Sequence, residues 1–322
     1  MLASYQRGDN GAFRAAARQL IGDERTKRHH LLADELERLL DTTWTRRPLH
    51  SPSLRPLPMA REDSLLLDLV DPHITFEHLV LTADLYRELM EVIREIHARD
   101  VLGAAGLRPR SRLLFVGPPG TGKSATAEAI ASELGLPLAI VRLGAVVSSR
   151  LGETARNVEA IFEFCSHGTW VLLFDEVDSF AKERSDSSDH GELKRVVTAF
   201  LQLLDAFRGS SLVIATTNHP KLLDSAVWRR FDDVFRFGLP DEEAVRRLLS
   251  LKLTPSATRF NREPFVALLK DHSQADIERV CQYAVRHAIL AGRSTVETTD
   301  FQLGLDRLRN DWQAIPETGF LG

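Results

Sequence analysis

Short apolar runs alternate with helix-length amphipathic segments between about residue 71 and residue 240. The predicted strands are Arg112–Val116, Leu138–Arg142, Val171–Phe174, Leu212–Thr216 and Asp233–Phe237. The segments between them include predicted helices at Ser124–Leu134, Glu153–Ser166 and Glu192–Phe207. Apolar strands separated by helices are typical of a parallel sheet that is covered on both faces. We therefore predict an α/β domain over residues 71–240.

The strand pattern ends at Pro240, and the remainder of the chain reads as helices. The predicted helices are Asp241–Leu253, Glu263–Asp271, Ala275–Ala291 and Thr299–Asn310. Each of them has apolar residues at helical spacing, which indicates one buried face. Residues 241–322 are therefore predicted to form a separate small helical domain.

The first 41 residues have the pattern of two short helices. Apolar residues recur at helical spacing on both sides of Gly22, at Phe13, Leu20, Leu32 and Leu39. A helical hairpin of this size needs another surface for stability. The pattern fits either a packing appendage or a docking module for a partner.

Residues 42–70 follow as a predicted linker, because four prolines and several arginines without an acid occur at Thr42–Arg61.

Composition narrows the function classes. The chain is 43% hydrophobic and 27% charged, as in globular proteins, and its formal net charge is −4. That charge does not indicate a nucleic-acid-binding surface. The N-terminus has no apolar signal core, and no apolar stretch is long enough to span a bilayer. The two cysteines suit a reducing compartment. We predict a cytoplasmic protein that binds neither membrane nor nucleic acid.

A phosphate-binding loop is predicted between the first α/β-domain strand and its helix. The segment is Gly117-Pro118-Pro119-Gly120-Thr121-Gly122-Lys123-Ser124, which has the G-x-x-x-x-G-K-S form. Its glycines allow backbone N–H groups to converge on phosphate oxygens, and the helix N-terminus adds its positive dipole end. Lys123 would reach the outer phosphates, and the Ser124 hydroxyl would bind Mg²⁺. The alternative is an accidental glycine-rich turn.

Two acids end the predicted strand Val171–Phe174. A buried parallel strand would bring Asp175 and Glu176 to the sheet edge beside the phosphate loop. Asp175 would hold Mg²⁺ through the water shell of the ion, and Glu176 would orient or deprotonate the attacking water. Alone, an apolar run followed by two acids is common at strand ends. Together with the loop, it predicts phosphoryl transfer.

The sequence resembles the AAA family of AAA+ ATPases from about Asp71 to Arg309. The phosphate loop matches the Walker A form, and Phe174–Asp178 matches the Walker B form. Ala215–Asn218 looks like the sensor-1 strand end, where Asn218 would contact the attacking water or the γ-phosphate. Leu223–Asp232 resembles the second region of homology, and Ser273–Ile277 resembles the lid helix start, which makes Ala275 a candidate nucleotide contact.

The resemblance implies a five-stranded parallel sheet, a helical lid, ATP and Mg²⁺ between them, and a homo-oligomeric ring, usually of six subunits. It implies that Arg229 and Arg230 reach a neighbouring subunit's site as arginine fingers. A solvated basic turn is the alternative for this pair. The family separates the two arginines by Pro-Gly, whereas here they are adjacent. Which of them reaches the phosphate is left open.

Other positions depart from the family pattern. Gln274 stands where the family has Gly, and Lys252 lies near the position of a ribose-contacting His. Leu79 and Val80 align with the residues that sandwich adenine, although apolar residues there could equally belong to a core. In the first pore loop, Arg150 replaces the aromatic residue that grips polypeptide. Asp186, Asp189 and His190 lie in a stretch that resembles the second pore loop or is simply a solvated loop.

These features predict an ATP-hydrolysing, ring-forming protein remodeller that acts on a protein substrate or effector partner. Some stand-alone AAA ATPases act beside peptidases, so a peptidase is one such partner. The alternative is a nucleotide-gated switch or scaffold that controls a bound partner without threading polypeptide. A DNA-loaded AAA+ protein is a third hypothesis, which the negative charge and the absence of a helix-turn-helix pattern disfavour.

Overall fold

The computed structural model describes residues 56–60, 64–146, 153–178, 200–222, 225–253, 257–258 and 260–313. Its main strands are β1 (Leu67–Val70), β2 (Arg112–Val116), β3 (Leu138–Val141), β4 (Val171–Phe174), β5 (Leu212–Thr217) and β6 (Asp233–Arg236). They form one sheet in the order β1-β3-β4-β5-β2-β6. All five predicted strands form, and they pair parallel to one another.

The expectation of a five-stranded parallel sheet is corrected by β1, the sixth strand. β1 pairs antiparallel with β3, with Leu67 opposite Val141. The sequence placed these residues at the end of the 42–70 linker. As an edge strand, β1 buries fully only Leu67 and leaves Leu69 exposed, so it shows no continuous apolar run. Its Asp68 forms an ion pair with Arg142 beside it.

Helices cover both faces of the sheet. They are α1 (Ala83–His97), α2 (Arg99–Ala104), α3 (Lys123–Leu134), α4 (Leu143–Val146), α5 (Glu153–Ser166), α6 (which includes residues 200–206) and α7 (Ser225–Trp228). An aromatic cluster joins α5 and α6 to the sheet. The ring of Phe162 stacks on that of Phe174 with centroids 5.7 Å apart, and Phe200 meets Phe174 edge-on at 4.8 Å. This packing fixes the position of β4, whose end carries the two acids.

The helical domain contains α8 (Glu242–Leu253), α9 (Glu263–Leu269), α10 (Gln274–Leu290) and α11 (Thr298–Gln313). The four predicted helices are all present, with ends that differ from the prediction by at most three residues. The prediction of helices alone is corrected by a small parallel pair of two-residue strands, β7 (Ala257–Thr258) and β8 (Thr295–Val296). Phe265 and Phe301 meet in the core with ring centroids 4.8 Å apart.

Several sequence-based predictions lie outside the described residues. These are the 1–41 hairpin, the linker up to residue 55, and the pore-loop residues Arg150, Asp186, Asp189 and His190. Both cysteines, Cys165 and Cys281, are buried, and burial raises the pKa of each thiol to about 12. Within the described ranges, no helix combines the length and apolarity that a membrane crossing requires.

Candidate functional site

Three parallel strands end together at one edge of the sheet. β2 and β5 are paired up to Val116 and Thr217, and β4 and β5 are paired up to Phe174 and Ala215. The segments that follow β2, β4 and β5 therefore begin side by side. They are the phosphate loop, the acidic pair and Asn218, which the sequence predicted to meet at this edge.

Lys123 is the first residue of α3, and its side chain is buried among oxygen atoms. Its ammonium donates to the backbone oxygens of Gly117 and Pro118 at 2.8 and 2.7 Å, and to Oδ1 of Asn218 at 2.7 Å. Burial lowers the pKa of Lys123, and the carboxylates of Asp175–Asp178 oppose this shift. The loop thus holds a fixed cation at the N-terminus of a helix, where backbone N–H groups also favour an anion.

Ser124 and Asp175, the two residues for which the sequence predicted a role in holding Mg²⁺, lie in direct contact. The Ser124 hydroxyl lies 2.9 Å from each oxygen of the Asp175 carboxylate. Thr216 donates its hydroxyl to Asp175 Oδ1 at 2.6 Å. One carboxylate and one hydroxyl fit Mg²⁺, which is held by few protein oxygens and keeps several waters. Among the described residues, no cluster of three or more His, Cys, Asp or Glu offers a competing metal site.

Glu176 has an unusual backbone conformation. Its φ is 57°, the left-handed region, and it is the non-glycine residue that adopts positive φ within the described part of the chain. Two contacts hold it there: its N–H donates to Thr216 Oγ1 at 2.9 Å, and its Oε1 accepts from Asn218 Nδ2 at 2.9 Å. Such strained positions persist where the surroundings determine them, often at functional sites.

The residues around this edge line a cleft with about 830 Å³ of empty space, part of which is open to solvent. Its lining from the sheet edge and loop consists of Pro119, Gly120, Gly122, Lys123, Ser124, Ala125, Asp175, Glu176, Thr216 and Asn218. The helical domain adds Leu248, Lys252, Gln274, Ala275 and Glu278, and the segment before α1 adds His78 and Leu79. The cleft therefore lies between the sheet and the helical domain.

Four predicted nucleotide-binding residues, Gly117, Pro118, Thr121 and Val80, are not part of the cleft lining. Gly117 and Pro118 face Lys123 with their carbonyl oxygens, and the Thr121 hydroxyl donates to Pro118 O at 2.8 Å. Val80 is also outside the lining. Its side chain is buried in the core of the helical domain, and its carbonyl accepts from Gln274 Nε2 at 2.9 Å. Leu79 is the member of the predicted adenine pair that faces the cleft.

The loop and the helical domain touch at Gly120. The N–H of Ala275 donates to Gly120 O at 3.0 Å. A Cβ on Gly120 would lie 2.5 Å from Ser273 Oγ, and the φ of Gly120 is +71°. Only glycine fits this position, because any side chain would displace the start of α10. The same start is capped by Ser273, whose hydroxyl accepts from the N–H of Asp276.

The structure separates the two arginines that the sequence left equivalent. Arg230 Nε donates to Asp205 Oδ2 at 2.9 Å, so this side chain is tied to α6. Arg229 is exposed. No arginine is among the described residues that line the cleft of their own chain. Asp205 carried no sequence signal for this role, since no motif links this helix residue to the arginine pair.

Sequence reasoning also missed two contacts at the cleft rim. Lys252 pairs with Glu278 at 3.0 Å, and both line the cleft. The ring of His78 lines the cleft while its Nδ1 accepts from the N–H of Thr75 at 3.1 Å. No motif connects Lys252 with Glu278 or marks the contact between Thr75 and His78.

Comparison with known proteins identifies the family. The pattern described as ATPase family associated with various cellular activities (AAA) matches residues 113–239. A Sinorhizobium fredii protein described as uncharacterized AAA family ATPase y4kL is 39% identical over 306 residues, which cover 95% of this chain and 92% of that protein. The chain belongs to the AAA family of ATPases, and it is an ATP-binding enzyme that hydrolyses ATP.

Two further relatives are similar over shorter shares of their length. The proteasome-activating nucleotidase of Methanothermobacter thermautotrophicus is 30% identical over 247 residues, 74% of this chain and 60% of that protein. The 26S proteasome regulatory subunit 7 of Dictyostelium discoideum is 32% identical over 276 residues, 82% of this chain and 64% of that protein.

Proposed function

We propose that the cleft binds Mg²⁺–ATP and that each side chain at the sheet edge has one role in its hydrolysis. Lys123 and the loop amides hold the phosphates, and Ser124 and Asp175 hold the metal. Glu176 accepts a proton from the attacking water, and Asn218 keeps its carboxylate in place. Mg²⁺ held by these residues would neutralise charge on the phosphate oxygens. The observation that carries this proposal is the chain of contacts from Lys123 through Asn218 to Glu176.

We propose that the active form is a homo-oligomeric ring in which Arg229 completes a neighbour's site. Phosphoryl transfer benefits from an arginine near the transferred group. The described lining of the cleft supplies none, whereas Arg229 is exposed on the same chain. Arg230 remains tied to Asp205 and positions the turn. By family resemblance the ring has six subunits.

We propose that the ring remodels proteins in the cytoplasm. Relatives named proteasome-activating nucleotidase and 26S proteasome regulatory subunit support a protein substrate or an effector partner, for which a peptidase is one candidate. The competing function is a nucleotide-gated switch that binds its partner without unfolding it.

An unfolding assay separates these functions. The probe is green fluorescent protein with an unstructured tail, and the readout is loss of its fluorescence with ATP. Wild type should lower the fluorescence, and Lys123→Ala, which lacks the phosphate-binding cation, should not. An active ATPase that leaves acidic, basic and neutral tailed probes intact would contradict remodelling and favour the switch.

A further inference from the structure

A second cleft lies on the helical domain, formed by side chains that the proposed ATP site does not use. It opens between α10 and α11 and contains about 710 Å³ of empty space, part of it open to solvent. Buried Val280, Gly304 and Leu308 contribute to its lining. A Cβ on Gly304 would lie 2.9 Å from the carbonyl oxygen of Val280, so glycine allows the two helices to lie this close. The cleft is therefore built into the packing of the domain.

The walls of this cleft are basic. Arg279, Gln282, Tyr283 and Arg286 line it from α10, and Arg307 lines it from α11. The α10 residues follow one another at helical i, i+3, i+4 and i+7 spacing, so they form one stripe about 10 Å long. The three arginines are exposed. No carboxylate is among the described residues that line the cleft.

The arginines differ in how they are held. The Cζ atom of Arg307 lies 5.1 Å from the centroid of the Tyr283 ring, a cation–π contact that orients the guanidinium in the cleft. Arg279 has a long contact of 3.7 Å with Asp276, whose carboxylate also accepts from the Ser273 hydroxyl at 2.6 Å. Neither contact provides a bidentate carboxylate, which is the partner that a guanidinium fits best.

We propose that this cleft binds an acidic segment of a partner polypeptide. The positive charge is spread along about 10 Å, so it suits carboxylates on successive residues of an extended chain, which advances about 6.6 Å every two residues. Tyr283 offers an aromatic surface between the charged groups. The whole chain carries a net charge of −4, so this stripe is a local concentration of positive charge on a chain with more acidic than basic residues.

The surroundings favour a short acidic segment over a long polyanion. Glu278 and Asp306 stand on the same two helices, outside the cleft lining, and are engaged with Lys252 and Gln302 respectively. Lys252 compensates the charge of Glu278, whereas the charge of Asp306 would repel a longer anion that continued past the cleft. The proposal does not depend on ATP hydrolysis, because the cleft shares no lining residue with the ATP site.

Fluorescence anisotropy without nucleotide tests this proposal. The probe is a labelled peptide of about ten residues in which Glu and Ala alternate, and its matched control replaces Glu by Gln. The full chain should bind the Glu peptide at least tenfold more tightly than the Gln peptide. Raising the salt from about 0.1 to 0.5 M should weaken binding of the Glu peptide, because exposed ion pairs are screened.

Charge reversal locates the binding. Arg286→Glu/Arg307→Glu should weaken binding of the Glu peptide at least tenfold and leave the ATPase rate and melting temperature unchanged. Arg309→Glu is the control, because this exposed arginine on α11 lies outside the cleft lining. If charge reversal unfolds the domain, Arg286→Gln/Arg307→Gln replaces it, with the same expected loss.

Three results would overturn the proposal. The first is equal affinity of wild type and the cleft variant for the Glu peptide. The second is tighter binding of a single-stranded DNA oligonucleotide that is lost in the same variant, which would assign the cleft to nucleic acid. The third is a cleft variant whose oligomer size in sedimentation differs from that of wild type, together with no binding of the Glu peptide by wild type. That result would make the cleft a contact between copies of this chain.

Discussion

Asn218 joins the two charged groups of the ATP site through one side-chain amide. Its Oδ1 accepts from Lys123 and its Nδ2 donates to Glu176. Its own N–H donates to Asp178 Oδ1 at 3.1 Å, which fixes the residue after β5. The ammonium that we propose holds phosphate and the carboxylate that we propose activates water thus share one hydrogen-bond partner. A shift of Asn218 would move both.

Glu176→Gln should slow ATP hydrolysis about 100-fold and leave ATP affinity nearly unchanged. The variant keeps an oxygen that can accept from Asn218 but cannot take a proton from water. Steady-state phosphate release and binding of a fluorescent ATP analogue measure the two quantities. Hydrolysis near the wild-type rate would show that Glu176 is not the base.

Thr216→Val should lower the hydrolysis rate about tenfold or more with a smaller effect on ATP binding. The Thr216 hydroxyl donates to Asp175 and accepts from the Glu176 N–H, so it positions both acids. Thr217→Val is a matched control: Thr217 is also buried, but its hydroxyl accepts from the N–H of His219. Equal losses in the two variants would mean that a buried hydroxyl matters only for folding.

At the scale of elements, the start of α10 rests on the phosphate loop. Gly120→Ala should weaken ATP binding at least tenfold, because the new Cβ would lie 2.5 Å from Ser273 Oγ and push α10 away. Gly135→Ala is the control. Its φ of +65° gives a similar backbone strain, about 1 kcal/mol, but its Cβ would meet nothing within 4 Å. Isothermal titration compares the ATP affinities of the two variants. Equal affinities would contradict a role in ATP binding for the contact between the phosphate loop and the start of α10.

A buried carboxylate joins α10 to α11 in the helical domain. Asp300 is fully buried and accepts from both guanidinium nitrogens of Arg293 at 2.6 Å, while His287 Nδ1 lies 2.6 Å from it. The bonds from Arg293 hold the pKa of Asp300 well below its usual range. A lowered carboxyl pKa stabilises the fold above the unfolded value of about 3.9, and this contribution is lost as pH falls.

Asp300→Asn should therefore lower the free energy of unfolding by about 3 kcal/mol at neutral pH, since it leaves Arg293 without its partner. The difference in melting temperature between wild type and variant should shrink as pH falls below about 4. Calorimetry across pH measures it. A difference that stays constant down to pH 2 would show that the charge of Asp300 does not contribute.

Strands and helices were predictable from the sequence where a single local residue pattern was enough to identify them. Continuous apolar runs identified the five parallel strands, and the phosphate loop identified the strand and helix beside it. β1 was not predicted, because this edge strand buries too few residues to show a continuous apolar run. The pairing of Arg230 with Asp205 and the burial of Val80 in the helical domain depend on tertiary packing, which no local pattern encodes.

At the scale of the whole molecule, ATP hydrolysis should depend on association of subunits. The exposed Arg229, and the lack of arginine among the described residues that line the cleft, support the proposed sharing of the site between two copies. The specific ATPase activity should rise with protein concentration, and Arg229→Ala should lower it at least 100-fold at saturating ATP. Arg230→Ala should act chiefly on stability, through loss of the Asp205 contact. This division of roles would be contradicted if the two variants lost ATPase activity equally and Arg230→Ala kept the stability of wild type.

The most direct test mixes two inactive proteins. Arg229→Ala keeps the phosphate-binding Lys123 but lacks the finger, and Lys123→Ala keeps the finger but lacks the binding site. If sites are shared between subunits, an equal mixture should recover up to about a quarter of the wild-type activity, the share of interfaces that pair intact halves. No recovery, together with turnover that does not change with concentration, would contradict the shared site and indicate a monomeric ATPase.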